Sequence, residues 1–444
     1  MLRVIGLVAS LTFISKILGL IRDLVIAHYF GTSVYSDAFN LAYLFTGNIF
    51  IIFGCIGGPI YNSVVAILPK VKRSTQKPFL KKILWQSMYI FTAVALIIYF
   101  AKPYILNAFI DKAKHLEYFN LTLTNIDLLL ILILITGPNA IIGALLNIYK
   151  KYFMSSISPA ITNITLIVAV MLSNVSLFGM SLALGTTVGG LIALFIQWPA
   201  FKRIMDKGNK SIKIDKREIH DFNLILYPAL LSTGFAQIMT FVDGFFCRGL
   251  EEGSWTAVTL SSRLIQMPMG ILITAVIVPF FPKISVLVKQ QKFDEIKRRL
   301  LKLNFNLILV CIPAVVIGCI WHEEIIRIIF ERGAFNARST EMVSSLFYYF
   351  SLGAIPYVLK EFLVRTFYSF GDSRTPLYVM VVTILLKAEL NYTLIPVMGL
   401  KALAFSMMVL NIISFLALLV FFIIRFRKVR GAGNISKIAE KYRG

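Results

Sequence analysis

Three cations sit in stretches otherwise fit for hydrocarbon: Lys16 and Arg22 in "SKILGLIRDLVIAHYFG" (15–31), and Arg263 in "SSRLIQMPMGIL" (261–272). A charge at the centre of a membrane helix costs roughly 2.5–3.5 kcal/mol on insertion scales, so such groups are kept where they face a bundle interior or a wet cavity. Lys16 and Asp23 are seven residues apart, about 20° around a helix, so they share a face. Arg22 lies about 120° from Lys16, and Gly19 between them allows a bend that would turn both cations into one cleft. Arg263 is flanked by Ser261, Ser262 and Gln266, with Pro268 just beyond to kink its helix. Cations from both parts of the chain converging on one cleft would make an anion site. A phosphate or diphosphate fits that chemistry, because guanidinium and ammonium groups bind phosphate oxygens by charge-assisted hydrogen bonds.

The elements that must carry these cations are membrane helices. The 444 residues are 58% hydrophobic and only 15% charged, and long apolar runs such as "LLLILILITGPNAIIGALL" (128–146) and "ISFLALLVFFIIRF" (413–426) recur throughout. The expected fold is an all-α polytopic membrane protein, because only a helix or a closed barrel spans lipid and no alternating barrel strands are visible. No small-residue cleavage site follows the first apolar run, so the N-terminus reads as a span and not as a signal peptide. Twelve spans are expected: 3–30, 36–68, 83–110, 121–149, 153–173, 177–201, 221–247, 255–285, 301–329, 341–370, 376–396 and 401–426.

The net charge of +23 is distributed asymmetrically. Segments 69–82, 149–152, 202–220, 283–302, 371–375 and the tail after Ile424 hold 30 Lys/Arg, against six in the opposite set of loops. The positive-inside rule then places the basic loops and both termini in the cytoplasm, which makes the excess charge a topology and lipid-headgroup signal. No loop is long enough to fold as a basic nucleic-acid-binding domain.

Similar punctuation recurs half-way along. "AILPKV" (66–71) ends the second span and "PFFPKI" (279–284) the eighth; "NIYKKYFMSSISP" (147–159) follows the fourth and "TFYSFGDSRTP" (366–376) the tenth. Six helices separate the copies, and an even number preserves orientation, so the expected architecture is two parallel six-helix lobes around a central cavity. The lobes are expected over 1–201 and 221–426, with 202–220 a basic cytoplasmic linker and 427–444 a basic cytoplasmic tail. Two lobes about a midplane cleft is a transporter plan, with access alternating as the lobes rock.

The remaining buried charges divide by position. Lys102, Arg327 and Lys387 lie near expected span ends, where a long side chain snorkels to the interface. Glu361 and Arg365 are spaced i, i+4 in the favourable order for a helix ion pair, and with Lys360 read as a structural or gating group. Asp127 and Asp243 show no partner on their own helices and are candidate proton or cation sites. Glu389 is a further acid within a span, and Asp37 stands at a span edge. Cys55, Cys247, Cys311 and Cys319 fall in apolar segments without metal spacing and read as small hydrophobes.

"SLTFISKILGLIRDLVIAHYFGTSVYSDAFNLAY" (10–43) resembles the opening of the MurJ/MviN lipid II flippases, within the multidrug/oligosaccharidyl-lipid/polysaccharide exporter group. The shared pattern is serine, a basic residue, Leu-Gly, Arg-Asp or Arg-Glu, then Phe-Gly and Asp-Ala-Phe. "FERGAFNARST" (330–340) and "FYSFGDSRTP" (367–376) look like later motifs of the same family, and the resemblance covers nearly the whole chain. It implies a flippase that moves undecaprenyl-diphosphate-linked peptidoglycan precursor from the cytoplasmic to the periplasmic leaflet of the bacterial inner membrane. The family's cavity cations match Lys16, Arg22 and Arg263, and its acids match Asp23 and Asp37, which would pair with or position those cations. The resemblance also implies transport driven by membrane potential or an ion gradient and no cofactor, in line with the absence of a GxxxxGK[ST] phosphate loop. Expected partners are the lipid-linked substrate, membrane lipids and cell-wall synthesis proteins, with no nucleic acid; a monomer is expected.

The sequence departs from the family at four points. Lys stands at 16 where Arg is more usual; 46–63 contains no Arg; Ser262 replaces the acid that often precedes the eighth-helix Arg; and the spans stop at twelve where many members have two more. These departures bear on the substrate, leaving a different polyprenyl-linked saccharide open. An ion-coupled antiporter of the same fold is the other alternative, and would favour a cleft of acids and aromatics. A membrane glycosyltransferase would need catalytic carboxylates or histidines on a sizeable outer loop, which is lacking. A non-transporting scaffold would have no use for buried charge.

Overall fold

The computed structural model describes residues 2–55, 57–173, 177–206 and 216–441. Every regular element among them is helical. The expected linker is outside this set over 207–215, as are 442–444 of the expected tail.

The chain opens with α1 (Leu2–Phe30), a single unbroken helix, so Gly19 opens no break in it. The expected second span is three helices: α2 (Val34–Phe45), α3 (Gly47–Gly54) and α4 (Pro59–Ile67). The breaks fall at Thr46 and between Gly54 and Pro59, where Gly57 and Gly58 are costly in a helix and Pro59 suits only its first turn. Next come α5 (Gln76–Phe109), α6 (Leu116–Ile148), the five-residue α7 (Tyr152–Ser156), α8 (Ser158–Met171) and α9 (Ser181–Asp206). Then follow α10 (Lys216–Phe246) and α11 (Ser254–Leu272), which passes through a π-helical turn at Ile273–Ile277 into α12 (Val278–Lys289). The last elements are α13 (Phe293–Ile320), α14 (His322–Phe330), α15 (Ala337–Leu352), α16 (Ala354–Ser369), α17 (Arg374–Met398) and α18 (Lys401–Lys441).

Among the described residues eight helical segments are long and apolar enough to cross a membrane, or nine if α15 and α16, bent by 48° about Gly353, count as one. The expected twelve are therefore not all present as uninterrupted apolar helices. α8 has only 14 residues, and the expected span 255–285 changes its winding at the π-turn. The tail expected after residue 426 is helical instead and continues α18 to Lys441.

Contacts divide the chain into two compact units: Met1–Thr256 with Arg332–Asn336, and Ala257–Glu331 with Ala337–Gly444. In the first, α6 is the hub. Its Ile133, Ala140, Ile141, Ile142, Leu145 and Leu146 are buried against α4 and α5. Phe222 of α10 joins the same core, edge-on to Phe79 with centroids 5.9 Å apart. α8 and α9 approach at small residues: a Cβ on Gly189 would lie 2.1 Å from Thr165 Oγ1, and one on Gly185 2.7 Å from the Ala169 Cβ. Such close backbone approach is what dispersion-driven packing between membrane helices requires. In the second unit α16 packs on α13 and α12, with Val358, Phe362, Leu307 and Cys311 buried among them. The buried Cys311 agrees with its reading as a small hydrophobe.

Lys387 of α17 does not snorkel. It is fully buried, and its Nζ donates to the Leu403 carbonyl at 2.9 Å and to Ser406 Oγ at 3.1 Å on α18. Ser406 in turn donates to Asn391 Oδ1 at 2.6 Å, one turn along α17. Polar acceptors inside the protein are closer than the interface, so the ammonium turns inward. Lys387→Met should lower the stability of the detergent-solubilised protein by about 1.5–3 kcal/mol, the worth of hydrogen bonds to a charged group. Unchanged denaturant unfolding would refute that role.

α16 and α17 meet in a tight clamp. Gly371 is left-handed at φ 71°, and the Asp372 amide bonds back to the Phe367 carbonyl at 3.0 Å, stopping α16. The Asp372 carboxylate then accepts the Arg374 and Thr375 amides at 3.1 Å each and the Thr375 hydroxyl at 2.8 Å, starting α17. Arg425 of α18 closes on the same carboxylate at 2.8 Å. Burial works to raise the Asp372 carboxyl, but the Thr375 bonds and Arg425 outweigh it and hold it below its ordinary range. A depressed carboxylate stabilises the fold above its unfolded pKa, so the clamp is intact at neutral pH and is lost only in strong acid. α6 ends in the same kind of turn, with Lys150 left-handed at φ 60° and the Lys151 amide bonded to the Leu146 carbonyl at 2.8 Å.

Candidate functional site

The guanidinium of Arg22 is held from two sides. Its Nε and Nη2 donate to Asp23 Oδ1 at 3.1 and 2.8 Å, and its Nη1 donates to Asn163 Oδ1 of α8 at 3.1 Å. The Asn163 amide donates in turn to the Ser15 carbonyl at 3.4 Å, which fixes its orientation. Neighbouring residues on a helix point about 100° apart, which argues against an Arg22–Asp23 pair. The pair forms all the same, because a long arginine side chain curls back across the arc. These three bonds use three of five N–H donors and leave a half-buried, oriented cation with donors to spare. Asn163 was not anticipated; a lone amide in the apolar run "AITNITL" was its signal.

Lys16 is half-buried on the same helix and forms no ion pair among the described residues. Arg263 is half-buried on α11 in the second unit. The structure therefore gathers Arg22, Asp23 and Asn163 into one cluster.

Among the described residues Asp37 pairs with no cation. Its carboxylate caps α11 from outside: Oδ2 accepts the Gly253 amide at 2.8 Å, and Oδ1 accepts the Thr256 amide at 2.7 Å and hydroxyl at 2.6 Å. The first amides of a helix have no partners of their own, and their dipole favours an anion there. "EEGSWT" (251–256), glycine and serine ahead of an apolar run, was the readable signature of that helix start. Glu252 adds a second tie by accepting the Val34 amide at 2.7 Å, and Asn40 donates to Thr256 Oγ1 at 3.2 Å.

Two glycines make this junction close. Gly253 has φ 86°, and a Cβ there would lie 2.2 Å from the Thr32 carbonyl oxygen. Gly333 has φ 65° and would place a Cβ 2.3 Å from the His28 carbonyl oxygen. That carbonyl, at the end of α1, accepts the Ala334 amide at 2.7 Å. "HYFG", "SDAF", "EEGSWT" and "RGAF" (332–335) thus meet as one latch, all in the first unit.

The other charges resolve differently. Asp127 of α6 has a partner after all, the ammonium of Lys102 on α5, which also lies over the Tyr99 ring at 4.5 Å. Lys102 therefore pairs within the protein. Asp243 is half-buried on α10. Glu361 and Arg365 form the expected i, i+4 pair at 2.7 Å, and Lys360 beside them donates to Asn411 Oδ1 at 2.9 Å. Arg327 is exposed and paired with Glu323 and, at 3.7 Å, Glu331. Glu389 is exposed, not buried.

The family model "Lipid II flippase MurJ" matches residues 26–441, a range that begins just past Lys16, Arg22 and Asp23. A "Probable lipid II flippase MurJ" of Synechocystis sp. is 26% identical over 425 residues, covering 93% of this chain and 79% of that protein. Its counterpart in Buchnera aphidicola subsp. Schizaphis graminum is 27% identical over 433 residues, covering 93% and 81%. Among solved structures, "Lipid II flippase MurJ, inward closed conformation" superposes with a TM-score of 0.78 at 24% identity, over 97% of this chain and 91% of that one. An inward-facing multidrug resistance MATE family transporter superposes at 0.77 with 11% identity, over 94% and 96%, a likeness of fold. With its family model matched from α1 to the end of α18, the chain belongs to the lipid II flippase MurJ family.

Proposed function

We propose that this protein is a transporter, not an enzyme, that flips lipid II across the bacterial membrane by alternating access. The observation that carries the reading is Arg22, a cation kept within an apolar helix and aimed by Asp23 and Asn163. A guanidinium with its orientation fixed and donors unspent suits a diphosphate, whose oxygens accept forked N–H bonds. Lys16 and Arg263 are the other two cations this reading assigns to the headgroup, and the prenyl tail stays in lipid during the flip. In this reading the junction at Asp37, Gly253 and Gly333, among the loops opposite the basic set, releases once per cycle. The bias of 30 Lys/Arg against six supports an inner-membrane protein with both termini in the cytoplasm. Membrane potential or an ion gradient drives the cycle, with Asp127 and Asp243 as the candidate ion-coupling acids.

The test is complementation. Expressed in a bacterium depleted of its own lipid II flippase, the protein should restore growth and move precursor to the outer leaflet. Correctly inserted protein that leaves the precursor on the inner leaflet would overturn the reading.

A further inference from the structure

The basic end of the first unit contains a second cavity, unrelated to Arg22. It has a volume of about 1210 Å³, and its walls are the 3₁₀ turn Leu68–Lys70, the start of α5, the turn after α6 and the end of α9. That exceeds the roughly 300–1,000 Å³ of small-molecule pockets. Arg73, Lys77, Lys151 and Arg203 line it, against the single carboxylate of Asp206. Among the described residues none of the four cations forms an ion pair. The floor is apolar, formed by Leu68, Leu80, Ile148 and Ile204.

The walls are built, not loose. The Gln76 side-chain amide donates to the Leu68 and Val71 carbonyls at 3.2 Å each, pinning the 3₁₀ turn to α5. Across the cavity, Lys150 takes a left-handed conformation that glycine would adopt at lower cost, and this turn presents Lys151 to the rim.

We infer that this cavity binds the headgroup of an anionic phospholipid, its phosphate on the four cations and its first acyl carbons on the apolar floor. Free phosphate shares the polar half of that chemistry but has no use for the floor. A basic pocket with an apolar base at the end of membrane helices is the arrangement that lipid headgroups select. The leaflet, the cytoplasmic one, rests on the topology proposed above. The binding itself does not, because a nanodisc exposes both faces.

The full chain is reconstituted in phosphatidylcholine nanodiscs doped with phosphatidylglycerol, re-extracted, and its retained lipids are weighed by mass spectrometry. Phosphatidylglycerol should be enriched, and Arg73→Gln with Arg203→Gln should lower that enrichment roughly tenfold. Ile204→Trp, which fills the floor without changing charge, should lower it as well, and carries the test if the double variant does not fold. Lys297→Gln with Arg298→Gln, the same charge change on the exposed start of α13, should leave it unchanged. An equal loss in that control would mean diffuse attraction and overturn the site. Displacement of the lipid by inorganic phosphate alone would make it a phosphate site and overturn the lipid assignment, as would no enrichment in the unaltered protein.

Discussion

With Arg22 replaced by alanine, transfer of lipid II to the outer leaflet is expected to fall about a hundredfold, the loss of one or two charge-assisted hydrogen bonds to a diphosphate. Alanine also removes the Nε and Nη2 bonds to the buried Asp23. Part of the loss would then be structural, since hydrogen bonds to a buried charged group stabilise the fold. Arg22→Lys separates the two effects. It keeps a cation beside Asp23 but removes the fork and the bond to Asn163, so an intermediate loss, about tenfold, is expected with a near-normal melting profile. Leaflet distribution of the precursor in flippase-depleted cells is the measurement. Wild-type transfer by both variants would remove Arg22 from the site.

The second large effect is expected at the latch. Gly253→Ala must hold a left-handed residue, about 1–2 kcal/mol, and must also separate the new methyl from the Thr32 carbonyl, an overpacking cost of about 1–3 kcal/mol. Together these shift the latched-to-released equilibrium by roughly 30- to 4,000-fold. Asp37→Ala should act in the same direction and more weakly, leaving the Gly253 and Thr256 amides without their acceptor. Cys247 lies in a small cavity of about 60 Å³ beside Asp37, Trp255 and the 248–254 loop, so its alkylation reports release. Labelling of Cys247, located by mass spectrometry in purified protein, should accelerate in both variants. Unchanged labelling would mean that the junction is not a gate.

These residues also show what a sequence discloses. Helical class, basic-loop bias and family motifs depend on composition and local order, and all three are legible in residues 10–43 and in the loop charges. Asp37 is different. Its place at a span edge is readable, but the helix it caps starts 217 residues later, and no periodicity links the two. Hydropathy assigns Lys387 to a span end because it weighs the lysine and not the Leu403 carbonyl and Ser406 hydroxyl that receive it. The second span reads as continuous because Thr46 and the 55–58 break barely dent its apolarity, although they end helices. Arg22 reaches Asp23 although neighbouring Cβ atoms diverge on a helix, because arginine's length spans the arc.

α18 has 41 residues, about 60 Å of helix, twice the thickness of a hydrocarbon core of about 30 Å. Arg425, the residue that Asp372 grips, comes 24 residues after Lys401, about the length of one crossing. The helix is therefore pinned near the end of its apolar stretch, and the turns beyond continue it from a fulcrum at the α16–α17 turn. A small tilt of that turn becomes a large sweep at the far end, so a fluorophore near Lys441 would read the motion of this unit from outside the membrane.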